Sequence, residues 1–251
     1  MKKILIILLL AIGISQTKAE TSSQMFEKAG LLYSQSKYKE ATQIYEKILS
    51  NDQESAEVYY NLGNIYYKSG KFTKAILNYE RAKLLDPSDE DITYNLELAN
   101  LHIQDKIQPV PQVFFVRWWH HFINLNTANG WGTISLIFFI LFLTAAGFFL
   151  LTRSVLVKKG SFGIGILFFF VFIFSFGFGW TLKCKFERHD EAIIMAPTVT
   201  IKSSPDNNGN NLFIVHEGLK VKITDQIGKW VEIRLSDGNK GWMPDDTMTR
   251  I

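Results

Sequence analysis

Between Ser22 and Asp89 the chain repeats itself at a spacing of 34 residues. Tyr33 returns as Tyr67, Lys37 as Lys71, Tyr38 as Phe72, Ala41 as Ala75, Tyr45 as Tyr79, Glu46 as Glu80 and Asp52 as Asp86. A period of this length, with small residues and aromatics at fixed phase, belongs to helix pairs stacked into a superhelix. Such stacks present a concave face that holds a peptide or partner protein, and they rarely do chemistry. Two copies fit end to end, 22–55 and 56–89. In the second copy Tyr59, Leu62, Gly63 and Tyr66 mark one face of a first helix. Gly70 sits in the turn, free to take the positive φ that ends a helix. Ala75, Tyr79 and Ala82 mark the facing side of a second helix, and Pro87 stops it because proline cannot continue a helix.

A third copy starts well, since Tyr94-Asn95-Leu96 repeats Tyr60-Asn61-Leu62, but Pro109 stands where the counterpart of Ala75 should be. Residues 20–107 are therefore expected to form two repeats and a lone capping helix. The second copy resembles the tetratricopeptide repeat, with Tyr59 where that family prefers Trp. The first departs, with Met25, Lys28-Ala29, Leu32, Ile48 and Gln53 at the signature phases. The resemblance implies a ligand groove lined by Phe26, Tyr33, Tyr60, Asn64, Tyr67 and Tyr94, with Asn61 and Asn95 nearby. Aromatic rings supply contact area at low entropy cost, and Asn can pair with a peptide backbone. Packing between helices is the other role open to each tyrosine. Asp91 sits where a carboxylate-clamping base would help, which disfavours that mode of binding.

Composition averages over unlike parts of the 251 residues, whose net charge is +3. Residues 20–107 hold ten Lys/Arg against fourteen Asp/Glu, a net of −4, and residues 183–251 hold ten of each. The basic excess lies beside apolar segments, which argues against nucleic-acid binding. The N-terminus reads Met-Lys-Lys, an apolar run from Ile4 to Ile14, then Thr17-Lys18-Ala19. A basic start, an apolar run too short to span a bilayer and a small residue before Glu20 make residues 1–19 a secretory signal. The single cysteine, Cys184, excludes an internal disulfide.

Residues 108–130 combine Phe114, Phe115, Trp118, Trp119 and Phe122 with Arg117, His120 and His121. That mixture suits an aromatic linker lying in the membrane interface and touching lipid. Adjacent histidines diverge by about 100° on a helix, so His120 and His121 chelate one ion poorly. Two apolar runs follow, placed at 131–152 and 162–182, each long enough to span a bilayer. With a loop at 153–161 they read as a helical hairpin packed through Ala145, Ala146, Gly147, Ser175 and Gly179. Neither run holds a charged residue or a histidine, which excludes the relays of a pump or transporter. Arg153, Lys158 and Lys159 on one side balance Lys183, Lys185 and Arg188 on the other. Positive-inside counting is therefore a tie. The export signal breaks it, with the repeats and the C-terminal part outside the cytoplasm and the loop inside.

Residues 183–251 change to alternation, in Thr198–Lys202, Leu219–Ile223 and Trp230–Arg234, punctuated by turns such as Asp237-Gly238. Five short strands and a small barrel are expected. The run Val199–Pro205, His216-Glu217-Gly218, Gly228–Ile233, Asp237-Gly238 and Gly241–Pro244 resembles a bacterial SH3-type domain. Trp230, Trp242 and Pro244 are its candidate ligand surface, with filling of the core or rim as the other role for the two tryptophans.

No catalytic constellation, phosphate loop or metal-ligand spacing occurs among the five histidines and their neighbours, so no enzyme, metal or cofactor is expected. The whole layout is multi-domain. An all-α tetratricopeptide superhelix comes first, then a transmembrane hairpin, then a small all-β SH3-like barrel. That order resembles the BatE family of the Bacteroides aerotolerance operon. The resemblance implies a non-catalytic scaffold of the bacterial inner membrane with both soluble domains periplasmic. Its partners would be membrane proteins carrying von Willebrand A domains and, indirectly, a cytoplasmic MoxR-type ATPase. A peptidoglycan sensor or anchor acting through the barrel is the alternative.

Overall fold

The computed structural model describes residues 21–51 and 54–251, so the expected signal at 1–19 lies outside the described residues. Four helices form two antiparallel pairs: α1 (Ser22–Ser34) with α2 (Tyr38–Leu49), and α3 (Ala56–Lys68) with α4 (Phe72–Leu85). A fifth, α5 (Glu90–Asn100), stands without a partner. Local chemistry sets the helix starts. Thr21 accepts the Gln24 N–H while the Gln24 side chain accepts the Thr21 N–H, a reciprocal box. Ser55 caps α3, and Asp89 Oδ1 accepts the N–H groups of Asp91 and Ile92 at 2.8 and 3.2 Å.

The repeat phases reappear as contacts. Ala41, Ala75 and Ala82 are fully buried, and Tyr45 and Tyr79 occupy equivalent core positions. A Cβ on Gly63 would lie 2.4 Å from the Tyr79 ring, so glycine lets α3 and α4 close to that distance. α5 buries Ile92, Leu96 and Ala99 against the second pair. Beyond it residues 103–112 form neither helix nor strand, and Pro109 and Pro111 keep a helix from running through them.

The C-terminal part is an antiparallel sheet of seven strands rather than the expected five. They are β1 (Glu191–Ile194), β2 (Thr198–Lys202), β3 (Asn211–His216), β4 (Lys220–Ile227), β5 (Trp230–Arg234), β6 (Lys240–Pro244) and β7 (Met248–Arg250). Their order is β3-β2-β6-β5-β4-β1-β7, so the sheet is open: β3 and β7 are its edges and do not pair with each other. The expected alternation holds, with Val199, Ile201, Val231, Ile233 and Met243 in one core. Gly238 takes φ of 95° in the turn foreseen at Asp237-Gly238, and Gly228 takes 60° in the β4–β5 turn.

Three further helices follow among the described residues: α6 (Phe114–Ile123), α7 (Ala128–Leu151) and α8 (Val155–Arg188). α7 and α8 are each long and apolar enough to cross a membrane. The link between them is only Thr152–Ser154, because most of the loop expected at 153–161 is already the first two turns or so of α8. Ser135, Ala145, Gly165, Ser175 and Gly179 are buried where the two helices meet. Ala146 is half-buried, and Gly147 has open space around it, so the packing stripe is shifted from the one expected. α6 rests on this hairpin through Trp119, whose ring lies 5.2 Å from that of Phe178. The Trp131 Nε1–H donates to the Ile123 carbonyl at 2.8 Å.

Sheet and repeats share a core. Ile193 and Ile251 pack into the same apolar cluster as Ala75, Ile76 and Leu77, with Ile103 and Met195 at its margin. Around that cluster Arg81 donates to the Arg250 carbonyl at 2.9 Å, and Thr73 to Glu217 at 2.9 Å. The His216 N–H donates to Asp105 at 2.6 Å. The boundary expected at residue 107 is therefore bridged, since Asp105 and Ile107 both contact the sheet.

Candidate protein-binding groove

Helical geometry divides α4 into two faces. Ala75, Tyr79 and Ala82 lie on one side, against α3. Thr73, Ile76, Glu80 and Leu84, at spacings of three and four, lie on the other, against the sheet and α8. The sheet thus covers the second helix of the repeat. The first helices, α1, α3 and α5, keep their own outward face.

On that face the sequence-derived residues converge in part. Burial pushes the Tyr33 phenol above its ordinary value, and Tyr38 and Tyr60 push it further. The Tyr33 ring lies 5.8 Å from that of Tyr38, and the Tyr60 ring 6.0 Å from that of Tyr79. Tyr79 is raised likewise by burial, then by Tyr60, Tyr33 and Tyr67. Phe26 packs edge-on against Tyr45 at 5.6 Å. Tyr67 sits edge-on to Phe72 and His102, which stack on each other at 3.7 Å. Tyr94 is 61% exposed.

The asparagines do different work. Asn64 Oδ1 accepts from the Tyr79 hydroxyl at 2.7 Å and from Asn95 Nδ2 at 3.1 Å, and Asn95 also donates to the Tyr60 hydroxyl at 2.9 Å. This knot ties α3, α4 and α5 together and occupies the very groups expected to meet a peptide. Asn61 donates along its own helix to the Glu57 carbonyl and does not join the knot. Sequence reasoning missed Leu101, 66% exposed, and the half-buried Leu98. They stand 34 residues after Tyr67 and Asn64, so the repeat phase was the signal that could have found them.

The second candidate surface is coherent too. In the β5–β6 register Trp230 opposes Pro244 and Glu232 opposes Trp242, while Val231 opposes Met243. Side chains alternate along a strand, so Trp230, Trp242 and Pro244 share the face turned away from the Val231–Met243 core. Both tryptophans are half-buried there. Among the described residues no group of three His, Cys, Asp or Glu could hold a metal ion. His120 and His121 lie exposed on α6.

The tetratricopeptide-repeat family model matches residues 56–89, the bounds of the second copy, and a model described as TPR repeat matches residues 31–70. Repeats of this family are protein-interaction modules. No curated protein matches the chain.

Proposed function

We propose that this protein is a membrane-anchored, non-catalytic scaffold whose repeat groove recruits a partner protein. One observation carries the reading: the sheet is seated on the far side of α4, and along the aromatic row Phe26, Tyr33, Tyr60 and Tyr67 stay half-buried while Tyr94 is exposed. α7 and α8 form the anchor, and the aromatic α6 lies in the lipid interface beside them. The groove is uncharged at its centre, which suits a peptide read through apolar side chains and backbone rather than a clamped carboxylate. The domain order resembles the BatE family, and that resemblance supplies the proposed setting. It is an inner-membrane aerotolerance or envelope-stress complex with von Willebrand A-domain partners, coupled to a MoxR-type ATPase, with repeats and sheet in the periplasm.

Testing the groove requires residues outside the asparagine knot. Replacing Asn64 would leave the Tyr79 hydroxyl buried without a partner, at a cost of about 1–3 kcal/mol, and would confuse folding with binding. Tyr94→Ala with Leu101→Ala removes exposed contact area alone. Recovery of the cross-linked partner from membranes should fall about tenfold or more, the effect of losing one binding hot spot, at an unchanged melting temperature. Undiminished recovery rejects the groove.

The alternative reading places a peptidoglycan ligand on the SH3-like face. The half-buried cluster of Trp230, Trp242 and Pro244 on one face of the sheet favours it. In the full chain, Trp242→Ala should then abolish retention on peptidoglycan and leave partner recovery intact.

A further inference from the structure

Two adjoining cavities below the repeats differ in chemistry. The lower, about 540 Å³, lies between the last turn of α4 and the end of the α7–α8 hairpin nearest the sheet. Leu84, Leu85, Phe176 and Trp180 give it mostly apolar walls, with Lys183 and Asn129 also in the lining. Gly132 also lines it, and a Cβ added there would meet no atom within 4 Å. The upper cavity, about 150 Å³, shares Leu84 and Leu182 with the lower. Its lining is polar and cationic: Lys83, Lys185 and Lys220 against Glu80 and Glu191. Lys220 binds both glutamates, at 2.7 and 3.0 Å, and Lys185 lies 3.8 Å from Glu191. Lys83 makes no ion pair among the described residues, so it is the unneutralised charge of this chamber.

The height of the pair is set by α8. Residues 160–182 carry no charge, and Lys183 is the first base after them. Phe176 and Trp180, both more than half exposed, face outward just below Lys183, at the level where a span leaves hydrocarbon. The lower cavity is thus bounded by side chains at bilayer depth, and the upper sits at headgroup level. An acyl chain can enter from the side without leaving an apolar medium, and an anion above it would meet Lys83.

We propose that this composite cleft seats one anionic phospholipid, its acyl chain between α4 and the hairpin and its phosphate beside Lys83. The proposal rests on reading α7 and α8 as membrane spans. The experiment uses the full chain reconstituted in nanodiscs of equal phosphatidylglycerol and phosphatidylethanolamine, re-extracted into mild detergent and weighed by native mass spectrometry. Wild type should keep a bound lipid, severalfold enriched in phosphatidylglycerol. Gly132→Leu, whose side chain enters open space, should lose most of it at an unchanged melting temperature. Lys83→Gln should keep a lipid and lose the enrichment. A wild-type protein stripped clean, or equal retention in folded Gly132→Leu, overturns the proposal. If Gly132→Leu unfolds, Lys83→Gln decides alone, and persistent enrichment in it is the overturning result. Release of wild type from membranes by alkaline carbonate would instead remove the membrane reading, and the lipid site with it.

Discussion

Ser36 and Gly70 occupy the same phase of the 34-residue repeat, and both turn the chain between paired helices with a left-handed φ, 59° and 71°. Glycine adopts that conformation freely, whereas serine meets its own Cβ, at a cost of about 1–2 kcal/mol. Ser36→Gly should therefore stabilise the first helix pair by about 1 kcal/mol, since glycine also gains unfolded-state entropy that offsets part of the relief. A urea midpoint that stays put or falls would contradict this. Gly63 was legible as a repeat signature because its role is local to one helix pair. Asn64 and Asn95 were expected near a groove through the family resemblance, and their hydrogen bonds to Tyr79 and Tyr60 were not legible at all. Those partners lie 15 and 35 residues away, and only the stacked helices bring them within reach.

Element by element, α4 departs most from what its repeat pattern implies. A repeat's second helix ordinarily keeps a solvent face, but here Ile76 and Leu77 are as buried as Ala75 and Tyr79. α5 departs the other way. At the phases of Tyr59, Gly63 and Tyr66 it carries Thr93, Glu97 and Asn100, polar residues that need no partner helix, which is why the array can end there. The seam between α4 and the sheet includes ions, so it should respond to pH. Burial pushes the Glu191 carboxyl up, but Lys220 and Lys185 outweigh it and hold the pKa below its ordinary 4.5. Burial pulls the Lys220 ammonium down, and Glu80 and Glu191 outweigh that, holding it above its ordinary 10.5. The Glu191 contribution is complete above 4.5 and is lost as pH falls through the lower folded value. The Lys220 contribution is complete below 10.5 and is lost as pH rises through the higher one. Lys220→Met should cost about 2 kcal/mol at neutral pH by leaving Glu80 without its ion pair and Glu191 with Lys185 at 3.8 Å, and it should flatten both flanks of the stability–pH curve. Parallel curves for variant and wild type would show that the cluster contributes nothing to docking.

For the molecule as a whole, α8 is the organising part. Its 34 residues extend about 51 Å, well beyond the roughly 30 Å of hydrocarbon a span must cross. The excess carries the helix to β1, with only His189 and Asp190 between, and His189 Nδ1 lies 2.9 Å from the Ile251 carbonyl oxygen. If α8 spans a bilayer, the sheet stands at a set height over it, and the repeats with it. If the hairpin spans the membrane, Ser154→Cys and Asp246→Cys in a Cys184→Ser background should react with an impermeant maleimide from opposite faces. Labelling of both from one face would refute the hairpin topology. The sequence by itself determined the repeats, the two apolar helices and the alternating strands, because periodicity and apolar length act over neighbouring residues. It also determined where the array stops, since Pro109 forbids the next helix whatever surrounds it. Only the tertiary structure decided that the sheet stays open and that it docks on α4. Those outcomes depend on contacts such as Ile193 with the α4 cluster and Lys220 with Glu80, between residues more than a hundred positions apart, which no local pattern encodes.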